Sequence, residues 1–435
     1  MKELVNKLKG DRVIWSFVAL LALFSFMPVF SASSNLAYIG LGKGNTLGYL
    51  LKHLAHIGIG FLIIYWIHNV PYLYFRAISK AALPVVWIML AYALIKGTVI
   101  AGANAIRWIQ IPFIKITFQP STMAAIVLFV FVARYLSKKR ETPIDFKSSL
   151  IELWLPVFIT LIFILPSNFS TTALIFSMVL MLVFIGKYPM KYIGFVIGSG
   201  VVMLLFFVLI AKAFPDSRFF SRVSTWESRI ERFTSDKADE DNYQIEKAKT
   251  AIASGGLYGL GPGKSVQKNF LPQSSSDFIF AIIVEEWGLI GGLSVLGLYL
   301  LLMFRFVIAS HKANTLFGKL IVIALGFPMI FQAMINMAVA VELLPVTGQT
   351  LPLISSGGSS IWMTCFALGV ILSVTKKEEE IAQELSEKAK REAALQKLID
   401  KQLEEENQEV MEESNAENYS IEDNTNNPMN AVLNK

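Results

Sequence analysis

Three carboxylates fall in one short apolar stretch, SSSDFIFAIIVEEWGLIGG, residues 274–292. Asp277 stands at its start, and Glu285 and Glu286 lie inside it. Burying such groups away from water is costly, so each needs a cap, a partner or a chemical role. At 1.5 Å per residue the glutamates would lie roughly 12–13 Å beyond Asp277 along a helix. At about 100° per residue, Glu285 shares a broad side with Asp277, Ala281, Gly288 and Gly292, while Glu286 points away. Asp277 fits either of two roles. It could cap a helix N-terminus, where negative charge is favoured and where Ser274, Ser275 and Ser276 could serve instead, or it could be a functional carboxylate. For Glu285 and Glu286 the open readings are a structural ion pair or a place facing a polar cavity.

Other stretches invite chemistry less directly. GLGPGKS, residues 259–265, suggests a phosphate loop but fails on spacing, because G-x-x-x-x-G-K-[ST] needs glycine where Tyr258 stands. Its glycines are better suited to a tight turn that lets backbone approach a ligand or a helix. LLPVTGQTLPLISSGGSS, residues 343–360, resists a continuous helix through Pro345, Pro352, Gly357 and Gly358. It is either a plain outer loop or a set of hydroxyls and free amides for a polar headgroup. GANAIRWIQI and TFQPS, within 102–121, carry Arg107, whose partner is either a lipid phosphate or an acidic loop residue. His53 and His56 share a helix face, yet no acidic ligand stands near them in sequence, so no residues are assigned to a metal. The single Cys365 excludes an intramolecular disulfide and a cysteine-based metal site.

The elements that must position these residues are membrane spans. The chain has 435 residues, 54% of them hydrophobic and 12% aromatic, which is too apolar for an ordinary soluble protein. Apolar runs near the spanning length lie at 13–32, 50–69, 80–99, 119–137, 149–166, 169–186, 191–213, 277–304, 316–340 and 357–375. The expected fold is therefore an all-α polytopic membrane protein of about ten transmembrane helices. The first run is long and lacks a small-residue cleavage site, so it reads as a span and not as a signal peptide. Lys and Arg cluster on alternate loops: Lys2 to Arg12, Arg76 and Lys80, Arg134 to Arg140, Lys187 and Lys191, Arg305 to Lys319, and Lys376 with Lys377. That bias places both termini in the cytoplasm, with Lys43, Lys96, Arg107 and Lys115 as exceptions. The net charge of +6 fits such loops and gives no reason to expect nucleic acid.

The expected division is a transmembrane domain, 1–375, with a large outer loop at about 214–276, followed by a tail, 376–435. In the loop, TWESRIERF reads as a helix, and NYQIEKAKTAIASGG reads as a second one ending at Gly255 or Gly256. The tail reads as a charged helix to about Glu413 and then as a disordered end. Its interrupted stripe of Ile381, Leu385, Leu395, Ile399 and Leu403 suits a solvated helix or a docking helix.

Taken together, YQ…GGLYGLGPGKSVQ…LP…DFIFA…EEWGLIGG and LP…LPLISSGGSS resemble the SEDS family of shape, elongation, division and sporulation proteins, whose members include FtsW and RodA. The resemblance covers nearly all of 10–375, and the GGSS ending looks more like the FtsW branch. It implies a peptidoglycan glycosyltransferase that polymerises lipid II on the outer face of the bacterial cytoplasmic membrane. Its essential outer-loop aspartate falls on Asp277, as a base for the acceptor hydroxyl. The substrate-binding candidates are Arg107, Arg229, Gln244, Lys264, Ser265, Gln267, Glu285, Ser355, Gly357 and Gly358, with Lys268 as a further loop cation. Glu285 and Glu286 are expected to shape or support the catalytic cavity.

The resemblance further implies lipid II as substrate, a class B penicillin-binding transpeptidase and other divisome membrane proteins as partners, and Mg²⁺ or Mn²⁺ as a companion ion. A lipid II flippase and a non-catalytic divisome scaffold are the competing functions. The chain also departs from the family pattern. Thr122 and Ala125 replace a charged pair, Asn168 replaces an aspartate, and Gln273 replaces a glutamate before Asp277. The first two changes put in doubt any mechanism that needs those membrane acids.

Overall fold

The computed structural model describes residues 8–39, 46–98, 107–110, 117–139, 144–214, 223–234, 243–271, 273–376, 385–387 and 389–403. Lys43, Lys115, most of GANAIRWIQI before Arg107, and the tail beyond 403 lie outside them. Two compact units are present, Met1–Thr375 and Lys376–Lys435. In the second, the described residues 385–387 and 389–403 are helical and exposed.

The first unit is a bundle of apolar helices: α1 (Arg12–Ile39), α2 (Thr46–Ile67), α3 (Leu73–Lys96), α4 (Pro120–Lys138), α5 (Phe146–Ile164), α6 (Phe169–Ile185) and α7 (Met190–Ala213). After the outer helices α8 (Val223–Thr234) and α9 (Tyr243–Gly255) come α10 (Ile279–Lys312), α11 (Leu316–Ala340) and α12 (Gly358–Val374). Eight of these are long and apolar enough to cross a membrane, and α6 and α12 are shorter apolar helices. The chain is thus an all-α polytopic membrane protein. One detail departs from a purely helical reading: β1 (Ile109–Gln110) and β2 (Thr117–Phe118) pair antiparallel between α3 and α4.

Several spans also differ in length from the sequence reading, α1 among them, which runs to Ile39 where 13–32 was expected. α3 begins at Leu73 and α10 continues to Lys312, so both helices take in cations near their ends, Arg76 and Lys80 in α3 and Arg305 and Lys312 in α10. Long cationic side chains extend from such positions while their stems cover apolar surface.

α11 is the most enclosed span and α7 the least. α11 packs against α4, α6, α10 and α12, α2 packs on α12, and α1 lies against α2 and α10. Close approach of α2 and α12 depends on small residues. A Cβ on Gly60 would meet Cys365 Sγ at 2.7 Å, and one on Gly369 would meet Ile67 Cβ at 2.8 Å. One end of the bundle is tied by Asp11. Its carboxylate accepts from Val13 and Ile14 at the start of α1 and pairs with Arg305 Nε at 2.6 Å. Its own amide donates to Thr375 Oγ1 after α12.

α10 is broken. Gly288 adopts φ 68° and ψ −172°, outside the helical region. The break frees backbone groups that the glycine turn of the outer loop satisfies. Leu260 and Gly261 donate to the Glu285 and Glu286 carbonyls at 2.9 and 3.0 Å. Leu289 donates in return to Gly256 O at 2.9 Å. A Cβ on Gly288 would lie 2.2 Å from Leu257 O, so the junction requires glycine.

Candidate active site

Asp277 lies before α10, in a turn over 273–278. The N-cap of α10 is Phe278, and no side chain caps that helix. Asp277 therefore does not serve as the cap. Its backbone is held from two sides. Asn336 Nδ2, on α11, donates to Asp277 O and to Gln349 O, both at 2.7 Å. Ser355 Oγ donates to Ser276 O at 2.6 Å, and Ser356 N donates to Ser275 O at 2.9 Å. The segment leading into α12 is thereby fixed against the turn that carries the carboxylate.

The carboxylate opens on a cavity of about 790 Å³. Arg107, Arg229, Gln244, Gly357 and Gly358 line it together with Asp277. Asp277 is the one acidic side chain among the described lining residues, opposite Lys52, Arg107 and Arg229. Arg107 Nε is anchored on Ser167 O at 3.0 Å. Arg229 Nη1 is anchored on Val346 O at 3.0 Å, which ties α8 to the loop before α12. Burial pushes the Asp277 carboxyl above its ordinary value, while a hydrogen bond with Ser276 and the charges of Arg107 and Arg229 pull partway back. A carboxylate made more basic by burial, beside cations able to hold an anion, is suited to take a proton from a hydroxyl.

The structure gathers the remaining sequence candidates elsewhere. Glu285 and Glu286 are fully buried, yet neither lines the cavity. Glu285 accepts from Ser265 Oγ, from Val266 N at 2.9 Å and from Gln267 N at 3.1 Å. Glu286 accepts from Ser31 Oγ on α1 and from Ser265 N at 3.3 Å. Lys268 Nζ reaches Ser31 Oγ at 3.2 Å and Gly263 O at 2.8 Å. Ser265, Gln267 and Glu285 thus form a second centre that shapes the outer loop, and Lys264 stands in its turn. None of the four lines the cavity. The helix-face argument for Glu285 does not hold because Asp277 precedes the helix instead of lying on it. Ser355 is buried beside the cavity as a backbone clamp, its hydroxyl also accepting from Leu351 N at 2.7 Å.

All four departures from the family pattern face this cavity: Thr122, Ala125, Asn168 and Gln273. Asn168 keeps a structural duty, its Oδ1 capping α6 through Thr171 N at 3.2 Å. Sequence reasoning missed Gln332 and Asn336, one turn apart on α11. Gln332 lines the cavity and holds Thr350 O at 2.9 Å. Their signal was available, since polar side chains inside an apolar span need partners. Lys52 and His56 were also missed as cavity residues. Among the described residues no three His, Cys, Asp or Glu side chains converge. Among the described lining residues Asp277 is the sole acid among cations, a donor set that does not fit a resident divalent ion.

The comparisons with known proteins bear on this geometry. The profile of a cell cycle protein family that groups FtsW, RodA and SpoVE matches residues 11–380. The stage V sporulation protein E of Bacillus subtilis is 30% identical over 376 residues, spanning 85% of this chain and 98% of the relative. A probable peptidoglycan glycosyltransferase FtsW of Coxiella burnetii is 28% identical over 375 residues, spanning 84% and 96%. Among solved structures, a chain described under the structural coordination of polymerization and crosslinking by a peptidoglycan synthase complex superposes with a TM-score of 0.64 at 24% identity, over 84% of this chain and 97% of that one. The rod shape determining protein RodA of Thermus thermophilus gives 0.59 at 23%, over 84% and 96%. These two likenesses support the fold.

Proposed function

The chain belongs to the FtsW/RodA/SpoVE family of cell cycle proteins, and on that premise we propose that it is a peptidoglycan glycosyltransferase. It joins lipid II units into glycan strands at the outer face of the bacterial cytoplasmic membrane. The observation that carries this reading is a single basic carboxylate, Asp277, facing Arg107 and Arg229 in one cavity.

In the proposed reaction Asp277 accepts the proton of the acceptor sugar's 4-hydroxyl. That oxygen forms a bond to the donor's anomeric carbon. The bond from that carbon to the diphosphate oxygen breaks, and the electron pair leaves with the lipid diphosphate. Arg107 and Arg229 stabilise the negative charge that develops. Gln244, at the start of α9, and the amides of Gly357 and Gly358 are proposed to orient the sugar and phosphate groups. Lys264, Ser265, Gln267 and Glu285 are proposed to act at one remove, by fixing the outer loop. A Mg²⁺ or Mn²⁺ ion is proposed only as a companion of the substrate's diphosphate, and no step depends on it.

Both termini are proposed to be cytoplasmic, from the distribution of Lys and Arg. A class B penicillin-binding transpeptidase is the proposed partner, supported by the likeness to a chain described under polymerization and crosslinking by a peptidoglycan synthase complex. Division, with other divisome proteins, is the proposed setting, supported by relatives named FtsW.

The test is glycan-strand formation from labelled lipid II by purified wild type and Asp277→Asn, each with its transpeptidase. Strands from the wild type alone are expected. Equal synthesis by Asp277→Asn would overturn the base assignment. No product from either, with partner binding intact, would return the weight to the flippase or scaffold.

A further inference from the structure

The surroundings of α10 change abruptly at its break. Every residue from Ile279 to Glu286 is buried. α9 supplies part of that cover, its Ala248 and Ala251 packing with Phe278, Ala281 and Ile282. Beyond Gly288 the helix opens outward, with Leu289, Ile290 and Leu293 each about half exposed. Residues 289–312 alone rise about 36 Å at 1.5 Å per residue, enough to cross a hydrocarbon core of ~30 Å. The part of α10 before the break is therefore covered by protein, and the part that meets lipid starts at Leu289.

The glycine turn of the outer loop is fastened at this same level. Leu289 N and Ile290 N donate to Gly256 O and Leu257 O at 2.9 and 3.3 Å. Gly259 lies so close to α10 that a Cβ on it would stand 2.3 Å from Glu286 O. The turn thus presses its glycine on the helix and leaves its large side chains outside: Leu257 is 53% exposed, Tyr258 79% and Leu260 41%. Together with Leu289, Ile290 and Leu293 they make one apolar surface, and such surfaces mark places of interaction. Lys264, in the same loop, is exposed and forms no ion pair among the described residues.

We propose that the turn 257–260 is a membrane foot, a surface that rests in the phospholipid interface of the leaflet on the cavity side. Leu257 and Leu260 enter the acyl boundary beside Leu289 and Ile290. Tyr258 keeps its hydroxyl at headgroup level and within reach of water, the depth that aromatic side chains with a polar tip favour. Lys264 lays its stem on the apolar surface and carries its charge to the lipid phosphates. Continuity with the lipid-facing residues of a span favours lipid over a protein partner as the cover of this patch. The foot is independent of the reaction proposed for the cavity. About 13 Å of helix axis, from Ile279 to Trp287, separates it from the turn that carries Asp277. Lipid contact at the foot thereby sets the height of that carboxylate above the bilayer.

The experiment is spin labelling of the full chain in vesicles of phosphatidylethanolamine and phosphatidylglycerol. Nitroxides are attached to Leu257→Cys and Leu260→Cys. Thr250→Cys, exposed on α9, gives the water reference, and Leu293→Cys, on the span, gives the lipid reference. Cys365 is buried and adds little background. Power saturation compares collisions with oxygen, which concentrates in lipid, and with a water-soluble nickel chelate. The oxygen-to-nickel ratio at 257 and 260 should lie well above that at 250 and approach that at 293. A ratio equal to that at 250 would place the turn in water and overturn the foot. Protection of 257 and 260 from both reagents would place a second copy of the chain over the patch and overturn it equally.

Discussion

At the scale of the residue, Asp277 combines two demands that oppose each other. The fold partly buries a carboxylate, which makes it more basic, and places Arg107 and Arg229 near enough to keep part of its charge. Removing a general base commonly costs 10²–10⁴-fold in rate, so Asp277→Asn should lose polymerisation on that scale in the lipid II assay. The pH dependence follows from the direction of the shift. Activity requires the ionised form, so the acid limb of the rate profile should lie above the range of a free aspartate. Arg229→Gln, by removing a charge that lowers the pKa, should move that limb to still higher pH. Stability runs the other way. Because the folded pKa is raised, folding favours the protonated form, and that contribution is lost as pH rises through the folded value. Ionised Asp277 therefore costs stability at neutral pH. Asp277→Asn should melt above the wild type at pH 7 and lose the advantage in acid, which thermal scans at the two pH values would show.

At the scale of the element, the break in α10 decides what the glutamates do. Gly288 at φ 68° is out of reach of other residues without strain, which costs about 1–3 kcal/mol. A methyl group there would also strike Leu257 O. Gly288→Ala should therefore detach the glycine turn from α10 and lower the melting temperature. Glu285→Ala should speed hydrogen exchange at Val266 and Gln267, whose amides it accepts, and leave the Asp277 cavity formed. This element was only half legible in the sequence. The spans could be read because each carries a long apolar run, and α9 could be read to its end at Gly255 because glycine stops helices. The break could not, since Gly288 inside an apolar run looks like any small packing residue. The phase argument then put Glu285 beside Asp277 by extending one ideal helix through a segment that is a turn before Ile279. Gln332 and Asn336 were legible and overlooked, while the cavity roles of Lys52 and His56 required knowing that α2 meets the start of α12.

At the scale of the whole molecule, the fold sorts its ends. The Asp11–Arg305 pair and the Asp11–Thr375 bond bring the start of α1, the far part of α10 and the end of α12 to one side. Arg12, Arg76, Lys312 and Lys319 belong to helix ends joined there, where Tyr72 before α3 also meets Thr315 before α11 and Ser373 meets Val70. Asp277 and its cavity belong to the opposite end of α10. If charge bias orients the chain, the cavity must face outward, where a polymerase needs it, and the two claims stand or fall together. The chain's lone Cys365 is 2% exposed, which leaves a low background for labelling. A cysteine placed at Tyr258, 79% exposed in the outer loop, should react with a membrane-impermeant maleimide in intact cells. A cysteine at His311, exposed at the cationic end, should react only after permeabilisation. The reverse pattern would put the cavity in the cytoplasm, beyond the reach of any glycan acceptor outside the membrane, and with it would go the proposed polymerase.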